Sequence, residues 1–267
     1  VFQLLDRFHF LTSSDLCAFI KPKSTKRFVE RLGHLFHDGR YLDRPSQQWQ
    51  SRDRFRASIV YSLSEKGREL LLNRALENHR AVLRGSQQPN HRIPQFAHAL
   101  AVSRSLAALE LATRSKLTER FVPIEQILSR RSIDLPLTNA SLALPVKMPG
   151  NQFGITGDVA AKIVPDGLYG IEHNDNGKSQ YQFFPIELER TTPLKRRTLS
   201  KSSTAKKIVA YRALLYSGAY KNILGIPNLF PHFIARDACH RDQIEQLATT
   251  LLSSHELEQF RFSIFPE

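Results

Sequence analysis

The sequence predicts a mixed α/β chain in two parts. A helical N-terminal segment closes with a β-hairpin, and a larger segment alternates strands with helices. Three observations predict this. Apolar residues recur at helical spacing in three short blocks before residue 40. Further along, two strand-like runs flank Asn176-Gly177, the dipeptide that a two-residue hairpin turn favours because both positions take positive φ. Between the two parts lies Gly85-Ser-Gln-Gln-Pro-Asn-His-Arg-Ile-Pro94, a polar, proline-punctuated stretch with little to bury. The expected division is residues 1–84, a linker over 85–94, and residues 95–267.

Composition bounds the function. With 41% hydrophobic residues in 267, the chain can build a core, which excludes a disordered or fibrous protein. No apolar run reaches the roughly 18 residues of a membrane span. Cys17 and Cys239 form no CxxC pair, which excludes a cysteine zinc site and a disulfide scaffold. That fits a reducing compartment, so a cytoplasmic location is expected. The opening Val1-Phe-Gln-Leu-Leu-Asp-Arg-Phe lacks the pattern of a signal peptide and reads as mid-helix, with residues expected ahead of it. A net charge of +13 points to a polyanion, most simply nucleic acid. Residues 1–94 hold 17 basic and 9 acidic side chains, and residues 95–267 hold 21 and 16.

The N-terminal elements follow in order. Leu4, Leu5, Phe8 and Leu11 form the first apolar helix face. Thr12-Ser-Ser-Asp15 is a run of N-cap residues ahead of Leu16, Phe19 and Ile20. Lys21-Pro22 stops that helix and Ser24 starts the third, where Phe28, Leu32, Leu35 and Phe36 keep the 3.6 period until Asp38-Gly39. Its opposite face carries Lys26, Arg27, Glu30, Arg31 and His34. Then come Arg40-Tyr-Leu-Asp, a polar loop over 44–56, a strand over 58–63, and a helix from Ser64. Three helices followed by a hairpin is the order of a winged helix. The third helix would enter the major groove with Ser24, Lys26, Arg27 and Arg31, and the wing would set Arg52, Arg54 and Arg56 against phosphates. The segments Leu-Thr-Ser-Ser-Asp-Leu, Arg-Phe-Val-Glu-Arg-Leu and Tyr-Ser-Leu-Ser-Glu-Lys-Gly-Arg-Glu-Leu resemble the bacterial winged-helix superfamily. A winged helix used for protein contacts and a plain helical bundle are the alternatives.

The second part is expected to open with a helix over 95–115 and a short strand or loop at Phe121. Proline and glycine break residues 134–157 into short strands and loops. Strands are expected over 160–171 and 181–189, a basic helix over 201–217, a strand over 230–235, a helix over 240–253 and a last strand over 260–265. With Asn176-Gly177 as the turn, Asp166 falls opposite Glu187, and Glu189 shares their face through the period of two. Three carboxylates on one face repel unless something compensates. One answer is Mg²⁺ or Mn²⁺ held by Asp166 and Glu187, with no organic or nucleotide cofactor implied. The other is a solvated face balanced by Arg190 and the basic helix.

Pro165-Asp166, a hairpin of about twenty residues, and Glu187-x-Glu189 after an apolar strand resemble the PD-(D/E)xK nuclease motif. The order helix, strand, hairpin, helix, strand is similar to the core of that fold, so a restriction-endonuclease-like α/β domain is implied. With the winged helix in front, and Phe-Phe-Pro-Ile-Glu-Leu-Glu-Arg-Thr-Thr and Tyr-Arg-Ala-Leu behind, nearly the whole chain resembles the replication-relaxation family. Those proteins belong to plasmids and other mobile elements and act in replication, relaxation or mobilisation. The resemblance implies metal-dependent DNA nicking or cleavage, with Asp166 and Glu187 as metal ligands and Glu189 as a third ligand or base. The motif ends in lysine where this chain has Glu189, so Lys206 or Lys207 would supply the ammonium from the following helix. A degenerate site in a non-catalytic origin-binding protein or transcriptional regulator stays open, as does an adaptor within a replication or transfer complex.

From Arg190 through Arg236 there are ten Lys and Arg and no Asp or Glu. Such a run reads as a phosphate track, with Arg190, Lys195, Arg196, Arg197 and Lys201 as DNA contacts; the alternative is that it neutralises the carboxylates internally. Double-stranded DNA is the expected partner, with other replication or transfer proteins and a second copy of the chain as further candidates and no membrane. Gly177-Lys178-Ser179 imitates the end of a P-loop, but Glu172 stands where its first glycine is required. No His-x-His pair exists for a rolling-circle nickase. His34 and His37 read as surface residues, and Tyr211, Tyr216 and Tyr220 as packing residues rather than nucleophiles.

Overall fold

The computed structural model describes residues 1–50, 58–77, 93–129, 142–149, 157–175, 177–190, 193–194 and 203–265. It is a mixed α/β protein of two compact units, Val1–Ala112 and Thr113–Glu267.

In the first unit, α1 (Phe2–Phe8) buries Leu5 and Phe8 and ends at His9, whose φ of 64° turns the chain. The turn carries Leu11 out of the helix into β1 (Leu11–Thr12), opposite Tyr61, rather than onto the helix face expected for it. Thr12 caps α2 (Ser13–Ile20) in a full capping box with Asp15. Lys21, in the left-handed region, ends that helix. Next, α3 (Thr25–His37) starts on Ser24, whose Oγ accepts from the Arg27 N–H, and buries Leu32. β2 (Leu42–Asp43) and β3 (Val60–Leu63) pair antiparallel, and the sheet order is β1-β3-β2. The expected polar loop between them contains a 3₁₀ turn, Ser46–Gln50, in which the Gln48 amide donates to the Val60 carbonyl and accepts from the Val60 N–H.

α4 (Glu65–Glu77) and α5 (Ile93–Arg114) complete this unit. The sequence places α5 at the start of the C-terminal part; by compactness it belongs to the unit Val1–Ala112 up to its last turn. Ala107, with Leu106 and Leu111, packs on Leu5, Phe8, Leu16 and Leu32, and Phe96 packs on Phe10 and Val60. Two ion pairs pin it, Arg7–Glu110 at 2.8 Å and Arg104–Asp15 at 3.3 Å. Most of the expected linker, residues 78–92, lies outside the described residues.

The second unit holds β4 (Glu119–Val122), α6 (Ile124–Leu128), β5 (Leu144–Pro149), β6 (Asp158–Ile163), β7 (Gly167–Asp175) and β8 (Lys178–Glu189). After them come α7 (Thr204–Ser217), α8 (Ala219–Leu224), β9 (His232–Ala235), α9 (Ala238–Leu251), α10 (Ser254–Leu257) and β10 (Arg261–Ile264). The single strand expected over 160–171 is two. β6 pairs with β5 in its own two-stranded sheet, and the chain leaves the ladder at Val164-Pro165, where proline lacks an N–H to continue it. β7 belongs to a five-stranded sheet of order β10-β9-β8-β7-β4. Its β4, β7 and β8 run antiparallel, and β8, β9 and β10 run parallel. One face of this sheet presents Leu168, Phe183 and Phe233 to Ile208, Val209 and Leu214 of α7 and Ile244 and Leu247 of α9. On the other face Tyr169 stacks between Phe121 and Phe184, with centroids 5.6 and 4.9 Å away.

Candidate active site

The β7–β8 register puts Gly167 against Ile186 and Asp175 against Lys178, around a turn whose Gly177 has φ 80°. Asn176 lies outside the described residues. One step beyond the ladder, the Asp166 N–H donates to the Ile186 carbonyl at 2.9 Å, and Asp166 Oδ2 accepts from the Leu188 N–H at 2.8 Å. Asp166 therefore stands across from Glu187, as the turn arithmetic requires. The apparent P-loop ending is this hairpin's turn.

Glu187 and Glu189 alternate onto the face covered by α7 and are 2% and 0% exposed. Among the described residues, that helix supplies the side chains that hydrogen-bond to them. Lys207 Nζ lies 2.7 Å from Glu187 Oε2 and 2.7 Å from Glu189 Oε1. The Tyr211 hydroxyl donates to Glu187 Oε1 at 2.7 Å, and Thr204 Oγ1 donates to Glu189 Oε2 at 3.2 Å. Positions 204, 207 and 211 share one helix face, because steps of three and four return to the same side. Ser203 caps the helix by accepting from the Lys206 N–H, and Gly218 ends it in the left-handed region.

The electrostatics follow from burial. Desolvation pushes the Glu187 carboxyl up to about 7, and the Asp166 charge adds to the rise, while Lys207 and Tyr211 oppose it. Burial works against the Lys207 charge, but the fields of Glu187, Glu189 and Asp166 outweigh it, and its pKa lies above the usual lysine range. Tyr211 is raised well above its ordinary value by burial and by Glu187, so its proton stays on as a donor. One ammonium faces three carboxyl groups. All four oxygens of the two glutamates have protein partners, and among the described residues no group of three or more His, Cys, Asp or Glu is disposed to hold a metal ion.

Of the two candidate lysines, Lys207 reaches both glutamates. Lys206 is its neighbour, about 100° round the helix. Arg190 is exposed at the end of β8, and Lys195, Arg196, Arg197 and Lys201 lie outside the described residues. In the first unit Ser24, Lys26, Arg27 and Arg31 are all exposed, whereas Arg52, Arg54 and Arg56 lie outside the described residues. His34 Nδ1 is 2.7 Å from Asp38 Oδ2. Thr204 and Tyr211 were not singled out as site residues. Their signal is the spacing Thr204-x-x-Lys207-x-x-x-Tyr211, a polar stripe on a helix that must bury one face. Tyr211 does pack, edge-on to Phe233, but its hydroxyl also serves Glu187.

A family model described as replication-relaxation matches residues 2–229. The chain belongs to the replication-relaxation family. Membership gives it a role in the replication or relaxation of plasmids and other mobile elements. The family match takes in α3, the β7–β8 hairpin and the whole polar stripe of α7. Comparisons with curated proteins and with solved structures each found no match. Among the described residues no helix of this family member is long and apolar enough to cross a membrane.

Proposed function

We propose that this member of the replication-relaxation family binds double-stranded DNA through a winged helix and nicks or cleaves it with a PD-(D/E)xK-like domain. The observation that carries the nuclease reading is Asp166 set opposite Glu187, with the Lys207 ammonium 2.7 Å from that glutamate. Two acidic groups and a lysine at one strand end is the donor set of metal-assisted phosphodiester cleavage, with the lysine delivered by α7 instead of by position 189. The DNA-binding reading is supported by the order of helices and strands in the first unit and by its three-stranded antiparallel sheet. It is also supported by the exposed Ser24, Lys26, Arg27 and Arg31 along α3.

The donor chemistry fits Mg²⁺ or Mn²⁺. Both are hard cations, and Mg²⁺ is held by one or two carboxylates with water and phosphate oxygens completing the shell. Asp166 and Glu187 would hold the ion, whose charge would oppose the burial that raises Glu187 to about 7. When bound, such an ion polarises the phosphodiester and activates water. Lys207 stabilises negative charge developing on the phosphate, and Tyr211 orients Glu187.

A second reading is a non-catalytic DNA-binding regulator. The closed partnering of all four glutamate oxygens favours it, because Lys207 would then serve as the cluster's permanent counter-ion. Supercoiled plasmid carrying the protein's own replication or transfer region separates the two. With Mn²⁺ the nuclease reading requires conversion to open circles by wild type, and a loss of at least about 100-fold in Asp166→Ala with DNA affinity retained. No conversion, on DNA that the protein demonstrably binds, leaves the regulator.

A further inference from the structure

We propose that Glu189 is a positioning residue that fixes the Lys207 ammonium against Glu187, and is neither a metal ligand nor a base. For its effect on DNA cleavage this inference rests on the nuclease reading. Its geometric content does not.

Glu189 is wholly inaccessible, and both its oxygens are used by α7, Oε1 by Lys207 and Oε2 by Thr204. Glu187 is similarly enclosed but stands across from Asp166, whereas the hydrogen-bonding partners of Glu189 among the described residues all come from α7. The Glu189 carboxylate is tolerated in the interior because a cation pairs with it there and a hydroxyl donates to it. Lys207 has the opposite problem. Its four-carbon stem has many rotamers, and 23% of the side chain is exposed, so an ammonium held by Glu187 alone could swing towards solvent. A second acceptor at 2.7 Å removes that freedom. Thr204, three residues before Lys207, turns Glu189 so that Oε1 meets Nζ. The result is a chain Thr204–Glu189–Lys207–Glu187–Tyr211 that begins and ends on one helix, with the working ammonium at its centre.

The same geometry allows an exchange. Positions 187 and 189 lie two residues apart on one strand face, and both side chains reach the same ammonium. A lysine at 189 would bring its own ammonium beside Glu187 from the strand. If Glu189 only positions Lys207, the lysine can be moved across without loss of the site. If Glu189 is a ligand or base, it cannot.

The test measures Mn²⁺-dependent nicking of supercoiled plasmid by the full chain. Lys207→Met is expected to lose about 100-fold or more. Combining Glu189→Lys with Lys207→Met should recover the rate to within about tenfold of wild type, with DNA affinity unchanged. Thr204→Val should lower kcat several-fold without changing affinity. A double variant that keeps native circular dichroism and DNA binding, but nicks no better than Lys207→Met, overturns the proposal. The second readout is the ¹⁵Nζ–¹H correlation of Lys207 by NMR. It should be sharp and slowly exchanging in wild type and lost in Glu189→Leu; its persistence in that variant also overturns the proposal. Should wild type fail to nick DNA, the nuclease reading falls, and the ammonium signal alone still decides whether Glu189 positions Lys207.

Discussion

Glu187 and His232 sit on opposite faces of the five-stranded sheet and show burial acting on charges of opposite sign. His232 bridges two hydroxyls, Tyr169 at 3.0 Å and Ser263 at 2.8 Å, and burial, with Arg261 nearby, lowers its pKa to about 4. An unfolded chain would protonate it below about 6.5. Its contribution to stability is therefore complete above pH 6.5 and is lost as pH falls through 4, by about 3 kcal/mol in full. Urea denaturation at pH 7.5 and 5.0 should show wild type losing about 2 kcal/mol more than His232→Gln over that interval; equal losses would remove the histidine from the acid response. Glu187 carries the reverse sign. Its folded pKa of about 7 exceeds the unfolded value, so its contribution is complete below about 4.5 and is lost as pH rises through 7. The Tyr211 hydroxyl moderates that loss by favouring the ionised carboxyl. Tyr211→Phe keeps the ring and leaves Glu187 Oε1 without its donor, at a cost of about 1–3 kcal/mol. The cost should be larger at pH 8 than at pH 6, and a pH-independent cost would show that the hydroxyl does not serve the carboxylate.

At the scale of elements, the hairpin was legible in the sequence and α7 was legible only in part. In the sequence the dipeptide Asn176-Gly177 predicts the register that β7 and β8 adopt, and the period of two then fixes which residues share a face. That is why Asp166 and Glu187 could be paired without a structure. The break after β6 was not read, because Val164-Pro165 interrupts an apolar run without shortening it enough to look like two strands. Nor was β1, since two residues cannot show a period. In α7 the basic run reads as a phosphate track or as internal neutralisation of the carboxylates, and composition does not choose between Lys206 and Lys207, because the partners lie eighteen and twenty residues earlier on a strand. The stripe Thr204, Lys207, Tyr211 is the local signal that separates Lys207 from its neighbour. The first turn of this helix rests on Ser203, whose buried hydroxyl accepts from the Lys206 N–H at 3.3 Å. Ser203→Ala should cost about 1 kcal/mol in chemical denaturation, and Ser203→Asp should cost less, because either cap oxygen can accept that bond. Equal costs for alanine and aspartate would place the role of Ser203 in packing rather than capping.

Across the whole molecule the charge of +13 is unevenly committed. Within the acid-free run, Lys207 is spent on the glutamates, Arg212 donates to the Leu251 carbonyl at the end of α9, and Arg236 pairs with the neighbouring Asp237. None of these three is among the residues named for the phosphate track, and the exposed row on α3 is the described part of the proposed DNA-binding surface. Composition located a polar stretch near residue 85 but could not show that α5 packs back onto α1 and α2, because its apolar residues fit either unit. If Lys26, Arg27 and Arg31 each neutralise one phosphate, replacing all three with alanine releases three fewer counter-ions on binding. The plot of log K against log salt should then flatten by about 2.7, at about 0.9 per contact. Asp166→Ala, which leaves that surface intact, should keep the wild-type slope. Fluorescence anisotropy with a labelled duplex between 50 and 300 mM KCl, a range in which about six contacts give a slope near −5, resolves such a change. An unchanged slope in the triple variant would move the DNA-binding surface away from α3.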